Sequence, residues 1–158
     1  MQHHACGRSV YGRGLLTEER TDTIDASGNR TTYKTILNTY AFRDMGTTPG
    51  TNSAQLGSAS ARIFPHLIET EPIRTEGGGS AVSTRKTYSY DDYGNVTFFR
   101  DYADTGSQDA VLTTIAYSSS DAACRAYILT QILQLISVRI SSGSYLRDRT
   151  NAVGCALG

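Results

Sequence analysis

Apolar and polar residues alternate with a period of two along most of this chain, the spacing of strands rather than helices. Residues 30–44, RTTYKTILNTYAFRD, set Tyr33, Thr35 and Leu37 against Thr32, Lys34 and Ile36, which predicts one long strand. LLTEERTDTID at 15–25 predicts a strand running into a turn. RIFPHLIETEPIRTE at 62–76 is extended in character, but Pro65 and Pro72 each remove a ladder donor. That places the segment at a sheet edge or in a kinked strand. From 83 to 102 the pattern predicts a hairpin: Tyr88 and Tyr90 share a face on the near side, Val96 and Phe98 on the far side, and Phe99 takes the other. VLTTIAYS follows as a strand, and ISSGSYLRDRT at 140–150 predicts a strand, a Ser-Ser-Gly-Ser turn and a returning strand.

Residues 121–140 carry two periods at once. Ile128, Leu129, Ile132, Leu135 and Ile136 hold roughly helical spacing behind Asp121, while Ile136, Val138 and Ile140 alternate. A short helix near 121–135 and a strand both fit, and periodicity does not separate them. The remaining stretches are boundaries: a glycine-rich, patternless 1–14, expected to be poorly ordered, a small-residue loop at 45–61, a flexible Gly-Gly-Gly-Ser joint at 77–80 and a tail at 151–158. Between them, 15–150 is expected to form a single β-rich region.

The hairpin turn has its own chemistry. Asp91 can accept hydrogen bonds from backbone N–H groups two and three residues on, and Gly94 can take a positive φ without a Cβ clash. The same D-x-x-G-N spacing occurs at Asp25, Gly28 and Asn29 as at Asp91, Gly94 and Asn95. A threonine-bearing strand follows each copy and ends in an Arg-Asp pair, Arg43-Asp44 and Arg100-Asp101. Two like hairpins laid side by side are expected, in a sheet that must cover or pair its edges.

Composition agrees with strands. Tyrosine is frequent, at 10, tryptophan is absent and proline is held to 3. With 15 basic and 15 acidic side chains in 158 residues, charge gives no drive toward nucleic acid or an anionic membrane. No stretch is apolar over the ~20 residues of a membrane span, and no signal peptide is visible behind Met1. The three cysteines, Cys6, Cys124 and Cys155, are odd in number and widely spaced, so no disulfide framework is expected.

Candidate chemistry is sparse. His3, His4 and Cys6 are metal-ligand types, but they are read as incidental residues of a frayed terminus. Asp91, Asp92, Asp101 and Asp104 could be read as an acid–base pair or a calcium site; turn capping and solvated strand ends account for them more simply. His66 has no Ser, Cys or Asp constellation within its segment. Tyr88, Tyr90, Tyr93 and Tyr102 could form a platform for sugars, or pack across strands. No catalytic residue, cofactor or metal is expected.

Tyr88-Ser89-Tyr90-Asp91-Asp92-Tyr93-Gly94-Asn95 resembles the Y-x-Y-D-x-x-G-N core of the YD, or RHS, repeat at every position. RIFPHLIETE at 62–71, TRKTYSYDDYGNVTFFRDYAD at 84–104, Tyr-Ile-Leu at 127–129 and SVRISSGSYLRDRT at 137–150 are similar, in order, to the B component of insecticidal toxin complexes, around the onset of its RHS repeats. The resemblance covers most of 15–150 and implies antiparallel hairpins of a shell sheet. In that family a hollow shell of spiralling β-sheet encloses a toxic segment of the C component, and a propeller docks on a pore-forming A component. It thus implies a secreted or extracellular protein, encapsulation rather than enzymatic activity, and A-type and C-type partners. The family's protease motif has no counterpart here. A small surface β-module holding carbohydrate or a protein partner through exposed tyrosines is the alternative.

Two stretches depart from the family pattern. Thr130–Gln134 replaces the expected Gly-x-Pro turn, and 151–158 holds no further Tyr-Asp unit. The expectation is a piece of a larger shell protein, folding slowly through non-local pairings.

Overall fold

The computed structural model describes residues 10–44, 62–75, 80–104, 110–118, 132–139 and 145–151. The fold is mainly β. Eight strands, β1 (Glu18–Ile24), β2 (Arg30–Asp44), β3 (Ile63–Arg74), β4 (Val82–Tyr90), β5 (Val96–Asp104), β6 (Val111–Tyr117), β7 (Ile132–Arg139) and β8 (Tyr145–Thr150), form one sheet. Their spatial order is their sequence order, and every neighbouring pair is antiparallel. This is a meander, the topology produced when each strand folds back on the one before it.

The long strand expected at 30–44 is β2, with the same limits. Val10–Gly12, inside the stretch expected to lack pattern, make a single 3-10 turn, followed by a turn in which Leu15 N–H donates to Gly12 O at 3.4 Å. The helical alternative fails where it can be seen: Ile132–Leu135 belong to β7, which pairs with β6 on one side and β8 on the other. Two ladders satisfy its backbone, an outcome that outweighs helical spacing. Residues 121–131 lie outside the described residues, as do 45–61, 77–79 and 152–158.

Of the two placements expected for the proline-bearing segment, the edge is excluded. β3 is internal, between β2 and β4, and is not an edge. The β3–β4 ladder instead skips Glu71 and Pro72 and stops at Glu69↔Thr87, short of Pro65. The missing donors are absorbed by gaps in one ladder, while β2 pairs along the whole of β3, with Phe42 opposite Pro65 and Ile36 opposite Pro72.

Following unbroken register from strand to strand separates the two faces. One carries Thr70, Lys86, Tyr88, Phe99 and Asp101, the other Glu69, Arg85, Thr87, Phe98 and Arg100. Among the described residues neither face is covered: Ala110 is the only buried apolar one, with Asp44 and Ser118 the buried polar ones. The described strands make a single layer. β1 and β8 close its two edges, and the described side chains of both are exposed throughout.

Candidate functional site

The two D-x-x-G-N turns are built from the same bonds. Asp25 N–H donates to Asn29 O at 3.0 Å, and Asp91 N–H to Asn95 O at 2.9 Å. Gly28 and Gly94 donate back to the aspartate carbonyls at 3.0 and 3.2 Å. Each aspartate Oδ1 accepts the N–H groups two and four residues on, from Ser27 and Asn29 or from Tyr93 and Asn95, at 2.8–2.9 Å. Each Oδ2 accepts the asparagine side-chain amide at 2.9 Å. Both glycines have positive φ, 83° and 87°. The asparagine amide and these donated N–H groups hold the Asp25 carboxyl below its ordinary range, against a smaller opposing effect of burial.

The second turn is embedded, whereas the first is exposed. Arg43, near the end of β2, reaches across to it: one guanidinium nitrogen donates to Asp91 O at 2.9 Å and the other pairs with the Asp92 carboxylate. Phe64 of β3 lies over Gly94, its Cζ 3.1 Å from where a Cβ would stand. Phe64 stacks on His66 with centroids 5.6 Å apart, and the Tyr90 ring meets His66 edge-on at 5.1 Å. Tyr90 Oη donates to Leu67 O at 2.7 Å, tying β4 to β3 beyond the point where their ladder stops. Burial and then the neighbouring Tyr88 raise the Tyr90 phenol above its ordinary value.

These residues line a cleft of about 220 Å³, with Ile68, Tyr88 and Ser89 completing the wall. It opens beyond Glu69, where the β3–β4 ladder has stopped. The polar groups that line it are engaged with one another: Tyr90 holds a carbonyl, Arg43 holds the turn, and Asp91 holds its own backbone. Such a site fixes the position of a hairpin relative to a strand two places away.

The opposite face bears a second cluster. Tyr102 lies between two arginines, Arg85 and Arg100, each with its guanidinium carbon 4.2 Å from the ring centre. Desolvation pushes the Tyr102 phenol up, but hydrogen bonds from Arg85 and Thr87 and the charges of Arg100 and Arg85 together bring it below its ordinary value. Arg85 also approaches Glu69, at 4.0 Å.

The tyrosines singled out from the sequence therefore do not form one platform. Tyr88 and Tyr90 face the cleft side, with Tyr88 against Phe99 at 5.4 Å. Tyr102 is on the reverse face, and Tyr93 is exposed at the tip of the turn. The aspartates are separated in the same way. Asp91 caps its turn, Asp92 pairs with Arg43, and Asp101 pairs with Lys86 at 3.2 Å while its Oδ1 accepts Ala103 N–H at 3.0 Å. Asp104 ends β5 opposite Thr84.

No group of three or more His, Cys, Asp or Glu side chains able to hold a metal ion occurs among the described residues; His3, His4 and Cys6 lie outside them. Among those same residues no helix is long and apolar enough to cross a membrane. Phe64 and Arg43 were missed as parts of the turn's setting. The Arg-Asp repeat marked Arg43, but only the register of β2 on β3 brings it to the hairpin. No family model, curated protein or solved structure matches the chain.

Proposed function

We propose that this chain is a wall segment of an RHS-type shell that encloses a toxic segment for delivery outside the cell. The observation that carries the reading is the eight-stranded meander whose described residues form a single layer and bury almost no apolar side chain. A sheet of this size reaches independent stability by burying a face. As part of a closed wall, its inner face would turn toward a compartment and its edges would continue into further strands. The Y-x-Y-D-x-x-G-N hairpin supports the same reading: Arg43 and Phe64 hold it fixed across two strand positions. No reacting group is needed for such a role. The partners would be the remaining shell, a C-type component carrying the toxic segment and an A-type pore component.

A chimaera tests this. Residues 82–104 replace one Y-D-x-x-G-N hairpin of an RHS shell protein, and the enclosed segment is challenged with protease. Continued protection is the expected result. A leaky or unassembled shell, with an unmodified shell protected in parallel, would overturn it.

The exposed Tyr93 favours a second reading, a surface module for carbohydrate. Glycan binding in the millimolar range that disappears in Tyr93→Ala with the circular dichroism unchanged would favour it over the wall.

A further inference from the structure

We propose that the two edges of this sheet are complementary and that β8 of one copy pairs with β1 of a second copy in one specific register. The argument uses only the edges and stands whether or not the chain belongs to a shell. Strands 1 and 8 of a meander run in opposite directions, so adding β1 of a second copy beside β8 continues the antiparallel order. The strands match in length, 7 residues against 6, and their described side chains are exposed.

Charge selects the register. Followed through unbroken pairing, Glu19 and Arg149 fall on the cleft face, and Arg20 and Asp148 on the reverse face. Setting Glu19 opposite Arg149 keeps each face continuous and brings Arg20 opposite Asp148. Both pairs then join opposite charges, one on each face. Sliding by two residues sets Glu19 opposite Arg147 but forces Glu18 against Asp148. Pairing β8 with another β8 about a two-fold axis, in either register that overlaps five residues, sets arginine against arginine. The head-to-tail arrangement is heterologous, so copies add in a row.

Sedimentation velocity across a range of protein concentrations at low and high salt tests this on the full chain. The expected result is association that grows with concentration and weakens with salt. Glu19→Arg and Arg149→Glu should each weaken it on the order of tenfold, the effect of a reversed cross-strand charge pair. An equimolar mixture of the two variants should associate again, because the two altered edges carry opposite charges and match each other, and so do the two unaltered ones. That recovery also shows that neither variant failed to fold. A chain that stays monomeric at every concentration, or association indifferent to both reversals, overturns the proposal. So does association sensitive to Glu19→Arg alone, which would point to β1 meeting β1, or a mixture that does not recover.

Discussion

Gly28 and Gly94 occupy the same place in two turns of the same design, yet their surroundings differ. A methyl group at Gly28 would meet nothing within 4 Å, whereas at Gly94 it would stand 3.1 Å from Phe64 Cζ. Both substitutions to alanine incur the left-handed backbone penalty of about 1 kcal/mol. Gly94→Ala must also displace the Phe64 ring from the cleft. Urea unfolding is expected to rank Gly94→Ala as the more damaging by a further ~1 kcal/mol.

Asp25 gives a pH signature of the first turn. Its folded pKa lies below the unfolded value, so its contribution is complete above that value and is lost as pH falls through the folded one. Asn29→Ala removes the largest cause of the depression. The stability difference between wild type and this variant should therefore be greatest near neutrality and shrink below about pH 4. The D-x-x-G-N spacing made these turns legible in the sequence, because all their bonds lie within five residues. What Phe64 does to one of them depends on strand register and was not legible.

At the scale of elements, β3 shows how a local rule can be right while its consequence is misplaced. Pro72 falls in a gap of the β3–β4 ladder and Pro65 lies beyond its end, but the strand stayed internal because β2 pairs along it. Tyr90 takes over on the β4 side through its hydrogen bond to Leu67 O. Tyr90→Phe is expected to destabilise by about 1 kcal/mol in urea unfolding at neutral pH. The folded pKa of Tyr90 is raised, so its stabilising effect is present below the unfolded value of about 10 and falls away above it. The gap between wild type and Tyr90→Phe should narrow in strongly alkaline solution.

β2 was legible from alternation alone because its fifteen residues contain no proline or glycine. The start of β7 was not, since short aliphatic runs satisfy both periods until neighbouring strands supply partners. The tyrosine stripe was only half legible. Alternation put Tyr88 and Tyr90 together, but the β4–β5 register that sets Phe99 opposite Tyr88, and so sends Tyr102 to the reverse face with Arg100, was invisible in the sequence.

Over the whole molecule, the sheet lacks the buried apolar layer that usually defines a domain: among the described residues that layer amounts to Ala110. Exposing little new surface on unfolding, the isolated chain should show a urea m-value below that of a two-layer domain of equal length. A value typical of a packed domain would show that a face is covered in solution. Mainly-β character was plain from the sequence, but how little apolar surface the described residues bury was not. Alternation says which residues share a face without saying whether anything lies against it. Each strand pairs with its neighbours in sequence. That ordering gives the chain a mechanical character. No strand is threaded or crossed over by another, so tension applied to one end would peel the outermost strand away without disturbing the next. Under a steady pull the protein would pay out like a pleated ribbon, one fold at a time, and could be drawn lengthwise through an opening far narrower than the sheet.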